Sequence, residues 1–235
     1  MGILFSDVYR KAIALFDDPR ITTAYETNPL QFNKIMYTYL QNAISMFNNP
    51  LSVSLRLSQY KEPKGIMQVF EGDGKNNKFE LDPEFEIQDN SVYNYIEGEL
   101  LVQGSIDKEA HTVEFPDVLP EGKQYAVEQY YVGEFTDNFE GLTNKNVNGT
   151  SLVVGYVKDI LARLLVKAWG EEERNLLLDI RNLMQDSDFK IMSNDRILKA
   201  KNEWVDQLDS EIYNYQNRLA WQIRFMGGSK FIGRG

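Results

Sequence analysis

The sequence predicts an α+β protein: a discontinuous helical bundle that carries an inserted antiparallel β-sandwich or barrel module and ends in an extended C-terminal arm. Three observations lead there. Hydrophobic periodicity is helical over residues 1–50 and 151–226 but close to two between them. Acidic charge is concentrated in the middle of the chain, and the last residues are basic and glycine-rich. The expected division is a helical body from 1–50 and 151–226, an acidic β domain with its connecting loops over 51–150, and an arm over 227–235.

Ser6 or Asp7 is expected to cap a first helix, with Val8, Ala12, Leu15 and Phe16 at helical spacing and Asp17-Asp18-Pro19 ending it. Asn28-Pro29 supplies the cap and first-turn proline of a second helix. Its apolar stripe runs Phe32, Ile35, Met36, Tyr39, Leu40, Ala43, Ile44 and Phe47, up to Asn48-Asn49-Pro50. The alternation Leu51, Val53, Leu55, Leu57 then reads as a strand. Ile66–Phe70, Lys78–Leu81, Val92–Ile96, Leu100–Val102, His111–Phe115 and Gln124–Tyr131 follow as short β-branched or aromatic runs bounded by turn residues. Gly72, Asp73 and Gly74 are expected to form a tight β-hairpin turn.

The stretch 144–149, rich in Asn and closed by Gly149, reads as an exposed loop returning the chain to the helical body. Ser151 is expected to cap an apolar helix carrying Val153, Val157, Ile160, Leu161, Leu164 and Leu165, which Gly170 ends or kinks. Glu171-Glu172-Glu173 would then occupy the first turn of another helix, where the macrodipole favours negative charge. After Asp186-Ser187-Asp188, Ser193 caps a last helix of about thirty residues. Leu198, Val205, Ile212, Leu219 and Met226 recur there every seventh position, widened by Trp204, Leu208 and Tyr215. Neither flank has enough apolar surface for a core of its own, so the two are expected to fold together and carry the β module as an insertion.

The chain has 235 residues and a formal net charge of −10. Residues 66–135 hold 16 Asp and Glu against 4 Lys and Arg, whereas the remainder holds 19 acids against 21 bases. A surface this acidic repels phosphate, which disfavours nucleic-acid binding through the middle segment. The absence of cysteine excludes a disulfide framework and thiolate chemistry. No run approaches the ~20 apolar residues of a membrane span, and the N-terminus lacks a signal-peptide pattern, so no membrane segment is expected. Met1-Gly2 with Ser6 matches an acylation start superficially, but Leu4-Phe5 reads better as the beginning of a packed helix.

The catalytic inventory is poor. His111 is the single histidine and reads as a surface or satisfied core residue of a strand. No G-x-S-x-G elbow presents a serine. Glu84 and Glu86, like Glu97 and Glu99, are two apart in strand-like sequence and so line a solvated face. Gly72-Asp73-Gly74 lacks both the Gly-Lys-Ser/Thr of a phosphate loop and the acidic series of a calcium loop. The chain therefore reads as non-enzymatic, with no catalytic residue, cofactor or metal expected. From Arg218 onward there are four bases, Arg218, Arg224, Lys230 and Arg234, and no acid. Gly227 and Gly228 loosen this end, while Phe231 and Ile232 between glycines are apolar anchors that a purely solvated tail would not need. These residues are expected to form an arm that orders on a neighbouring subunit or partner.

The layout of bundle segments at 5–47 and 151–226, a long last helix and the arm Gly227–Gly235 resembles the head-to-tail connector, or adaptor, proteins of tailed bacteriophages. Within the insertion, Phe70-Glu71-Gly72-Asp73-Gly74 followed by Phe79-Glu80-Leu81 is similar to the F-x-G-D-G-x-x-x-x-F-x-L opening of β-sandwich modules in phage neck and tail proteins. Lys75-Asn76-Asn77-Lys78 stands where a Thr/Ser-rich turn is usual. The Asn- and Tyr-rich composition resembles that of a ring protein of a crAss-like podovirus. The resemblance implies a homo-oligomeric ring of about twelve copies, bound to a portal protein and other neck or tail proteins. It also implies DNA passing through the lumen without specific binding, and a place in the virion neck or tail after assembly in the host cytoplasm. One alternative is a tail or adhesin module that binds carbohydrate or a receptor through Tyr93, Tyr95, Tyr125, Tyr130 and Tyr131 of the insertion. Another is a glycan hydrolase using insertion carboxylates such as Glu97 or Glu114.

Overall fold

The computed structural model describes residues 2–16, 18–83, 92–96, 99–101, 105–139, 141–142, 146–147, 150–185 and 192–226. Mixed helix and small antiparallel sheets make up the fold. The chain begins with β1 (Ile3–Leu4), α1 (Phe5–Ile13), α2 (Pro19–Thr27), α3 (Pro29–Met46), α4 (Leu51–Leu57) and β2 (Tyr60–Lys61). It continues with β3 (Lys64–Glu71), β4 (Lys78–Glu80), β5 (Val92–Ile96), β6 (Glu99–Leu101), β7 (Ser105–Asp107), β8 (Thr112–Glu114) and β9 (Gln124–Tyr131). Last come β10 (Glu134–Phe135), β11 (Asn146–Val147), β12 (Thr150–Ser151), α5 (Leu152–Gln185) and α6 (Met192–Met226). Two compact units result: a helical unit built from the chain up to Lys61 and from Glu134 onward, and a β unit spanning Glu62–Gly133.

In the helical unit, Phe5, Val8, Tyr9 and Ala12 recur at i, i+3, i+4 and i+7, and all four are buried. Neither Ser6 nor Asp7 caps α1. Leu4 holds the cap position with no side-chain bond, because β1 leads straight into the helix. Asp7 instead binds Arg10 and Lys158, each at 2.6 Å. The helix stops at Ile13, before Leu15 and Phe16, and Phe16 packs edge-on against Trp169 at 5.0 Å. Asp18-Pro19 opens a helix that the periodicity did not reveal, α2, where the Asp18 carboxylate accepts from the Arg20 N–H at 2.9 Å. Asn28 caps α3 as expected, accepting from the Gln31 N–H at 3.0 Å.

Residues 51–57 correct the strand expectation, for they form helix α4. Alternation over so short a run also satisfies i, i+4 spacing. Val53 and Leu57 form the buried pair, and Leu51 and Leu55 the exposed one. Gly170 does not end a helix, since it lies within the 34-residue α5, Leu152–Gln185. A β-carbon there would lie 2.5 Å from the Trp204 ring, so the glycine serves close approach of α6 rather than a break. Glu171–Glu173 accordingly sit inside a helix, not on a first turn, with Glu171 near Lys167 and Glu173 near Arg20. Ser193 lies inside α6, one residue past its start at Met192. Asp186-Ser187-Asp188 falls outside the described residues.

Helix α5 is the centre of this unit, packing against α1, α3 and α6. Val157, Ile160, Leu161, Leu165 and Val166 are fully buried along it, and each such side chain contributes about 1.5–3 kcal/mol of transfer free energy. Leu198, Val205, Ile212 and Leu219 are buried from α6, with Leu208 beside them. Lys158, Arg163 and Lys167 of α5 pair with Asp7 of α1 and with Glu211 and Asp209 of α6.

The points where the chain leaves the helical unit and re-enters it are hydrogen-bonded together. β10 lies between β1 and β2, pairing Ile3 with Phe135 and Phe135 with Tyr60. Phe5 seals this junction, with its ring 4.9 Å from Phe135 and 5.8 Å from Tyr60. Further on, the expected loop carries a short ladder between β11 and β12.

The β unit holds a four-stranded antiparallel sheet ordered β3-β9-β5-β6 and a three-stranded one ordered β4-β8-β7. Leu81, Val113, Phe115, Leu119, Tyr125 and Val127 form its core, with Phe70, Phe79 and Ile106 packed alongside. Strand β7 was not legible from periodicity. His111 corrects another expectation: it lies in the turn before β8 at φ 49°, not in a strand. The Asp107 carboxylate accepts from the Glu109 and Ala110 N–H groups, and the tightness of that turn forces the left-handed residue. Tyr125, Tyr130 and Tyr131, offered above as sugar-stacking groups, are buried, and the side chains of Tyr93 and Tyr95 lie outside the description.

Candidate functional site

The residues singled out by sequence fall into three places. Arg218 and Arg224 lie on α6, both exposed. Gly227, Gly228, Lys230, Phe231, Ile232 and Arg234 lie outside the described residues. Gly72, Asp73 and Gly74 lie in the β unit.

The end of α6 carries more than bases. Trp221 is 66% exposed and Phe225 57% exposed, and their rings lie against each other at 4.0 Å, tilted by 34°. The buried heptad positions of α6 lie on its other side, so i, i+4 spacing leaves this pair facing solvent. An open cavity of about 520 Å³ beside them is lined by Tyr156, Asn217, Arg218, Trp221 and Gln222. Gln222 braces the wall by donating to the Tyr156 hydroxyl at 3.3 Å. Across the helix pair, the Arg163 guanidinium binds Glu211 at 3.0 Å and lies 4.1 Å from the Tyr215 ring centroid. Among the described residues neither Arg218 nor Arg224 meets an acid. The result is an aromatic surface rimmed by unneutralised positive charge. The signal was present in the sequence, since Trp221 and Phe225 stand four apart and off the seven-residue repeat.

Compared with protein-family models, curated proteins and solved structures, the chain matches none of them. Geometry alone therefore bears on function.

Gly72–Gly74 is a turn, but not a hairpin between its flanking strands. β3 pairs with β9 and β4 with β8, so the turn passes the chain from one sheet to the other. The Gly72 N–H donates to the Lys123 carbonyl at 2.9 Å and the Gly74 N–H to the Leu119 carbonyl at 3.0 Å. A β-carbon at Gly72 would meet the Pro120 carbonyl oxygen at 2.2 Å, and Gly74 has φ 68°. The Asp73 carboxylate accepts from the Asn76 and Lys75 N–H groups at 2.7 and 2.8 Å. Those two donors hold its carboxyl below the usual carboxylate range. A two-residue hairpin would have no use for the second loop, 119–123, which here accepts these glycine N–H groups.

Strand β3 also meets solvent. It stands at the end of its sheet, and Met67 and Val69 are 56% and 61% exposed. Among the described residues, no group of three or more His, Asp and Glu side chains could hold a metal ion, and no helix is long and apolar enough to cross a membrane.

Proposed function

We propose that this chain is a structural ring subunit of a tailed-bacteriophage head-to-tail connector. Copies associate into a closed ring of about twelve, in which α6 leads the basic arm onto an adjacent subunit. The inserted module closes as a β-sandwich whose acidic surface borders the DNA passage or the next ring, where like charge lets the duplex slide without sticking. The ring binds the portal protein and neighbouring neck proteins, belongs to the virion neck, and performs no catalysis.

The observation that carries this reading is the exposed Trp221–Phe225 pair beside Arg218 and Arg224, directly ahead of the basic segment Gly227–Gly235. Aromatic and arginine side chains together on a surface are the usual composition of interface hot spots. An unpartnered apolar pair of this size costs free energy in water and is retained where another chain covers it. Native mass measurement and electron microscopy of the purified protein, alone and with a portal protein, test the reading. Ring particles, or co-assembly with the portal, support it; a chain that remains monomeric under both conditions overturns it.

A further inference from the structure

The outer edge of β3 is built to receive one more strand. In the β3–β9 ladder Lys64 stands opposite Tyr131 and Glu71 opposite Gln124, a register that extends to the bond from the Gly72 N–H to the Lys123 carbonyl. That bond places the even-numbered residues of β3 in hydrogen-bonded pairs with β9. Gly65, Met67, Val69 and Glu71 therefore direct their backbone N–H and C=O groups away from it. Among the described residues nothing pairs with those groups. Met67 and Val69 add an exposed apolar face at the same edge. Edge strands are usually blunted by charge or proline; here Pro63 and Lys64 guard the start and Glu71 the end, and no charge stands between them.

Charge selects the occupant. The β unit, Glu62–Gly133, carries 16 acids against 5 lysines, so a second β3 would bring like charge against like. Gly227–Gly235 has the opposite character: two bases, no acid, and the apolar pair Phe231-Ile232. Its nine residues span about 30 Å when extended, enough to run the length of the eight-residue β3.

We infer that Gly227–Gly235 of a second copy adds as a strand to the outer edge of β3, setting one of Phe231 and Ile232 against Met67 and Val69. This rests on the ring reading and names where its arm docks. Main-chain hydrogen bonds supply the affinity, and the alternation of side chains supplies the register. The flanking glycines let the segment leave α6 and enter the ladder, while Lys230 and Arg234 meet the acidic surface.

Because the chain has no cysteine, single-cysteine variants report this contact directly. V69C is mixed under oxidising conditions with F231C and, separately, with I232C. Successive residues of a strand face opposite sides, so one mixture is expected to give the disulfide-linked pair and the other little. Equal yields in both mixtures, no product in either, or 69-to-69 dimers as the main species would overturn the inference. M67K/V69K alters only exposed positions, and its circular dichroism should match the parent; it is expected to weaken association about tenfold. Unchanged association would also count against strand addition. The native mass of the unaltered protein is read in parallel. Oligomers without the cross-link sink strand addition alone, whereas a monomer sinks the ring reading with it.

Discussion

Gly170 of α5 faces the indole of Trp204 on α6 so closely that a β-carbon at position 170 would come within 2.5 Å of the ring. The indole is hemmed in, for Trp169 meets it edge-on at 6.2 Å and the Lys201 ammonium lies 4.7 Å from its centroid. Gly170→Ala would gain about 1 kcal/mol of helix propensity. Overpacking nevertheless outweighs this gain, and a net loss of about 1–2 kcal/mol is expected in chemical denaturation. Pairing G170A with W204L should recover most of it. Stabilisation by G170A alone would show that the contact is slack.

Arg163 is nearly buried and has Glu211 as its acid partner. Removing the acid leaves a largely buried cation with neutral partners, the Tyr215 hydroxyl and the Asp159 carbonyl, whereas removing the cation leaves an acid that is 37% exposed and able to find water. Glu211→Ala is therefore expected to cost about 2–3 kcal/mol and Arg163→Met less than half of that, as read by urea denaturation. Equal losses would show that both charges of the pair are well solvated.

Alkaline pH should act through Tyr39 and Tyr130. Burial, with a hydrogen bond to Glu172 and the charges of Glu172 and Glu173, pushes Tyr39 up from its ordinary 10.0 to about 12. Burial and the Glu128 charge push Tyr130 to about 12 as well. Between those values the unfolded chain loses protons that the folded chain keeps. Stability is thus fully present below pH about 10 and falls as pH rises toward about 12. Ultraviolet titration should show Tyr39 and Tyr130 among the late-ionising phenols, and Y39F/Y130F should flatten the alkaline decline in stability. Normal titration of all the tyrosines would refute this.

The Asp73 turn supports a contrast between two substitutions. Its folded carboxyl is depressed by the Asn76 and Lys75 N–H groups, so its contribution is present above the ordinary value and is lost as pH falls through the folded one. Asp73→Asn keeps an acceptor but removes that acid dependence, whereas Asp73→Ala loses the turn outright. Thermal melts across the acidic range should separate the three proteins in that way. Identical acid profiles for D73N and the parent would show that the carboxylate charge is not the acceptor that matters.

Much of the helical unit was legible. Phe32, Met36, Leu40, Ala43 and Phe47 of the first stripe are buried, although Ile35 is exposed; the seven-residue repeat from Leu198 to Leu219 is buried throughout, and Asn28-Pro29 states where α3 begins. All six runs read as strands from their β-branched and aromatic residues overlap observed ones, β3, β4, β5, β6, β8 and β9. The proposed docking surfaces were only half visible: Arg218, Arg224 and the arm stood out by charge, whereas Trp221, Phe225 and the edge position of β3 did not.

What misled the reading was local ambiguity settled by contacts distant in sequence. Leu51, Val53, Leu55 and Leu57 fit either period, and helix wins because Val53 and Leu57 find a core while their neighbours need none. Gly170 looks like a helix end until Trp204 fills the space it leaves. Gly72-Asp73-Gly74 announces a turn, yet which strands it joins depends on β9 and β8, dozens of residues away. The sequence alone determined composition, charge segregation and the faces of its long helices, because these depend on residue type and short-range spacing. Tertiary structure alone decided strand partners, the continuity of α5 and which apolar groups stay in water, because each is a competition among long-range contacts that no local window contains.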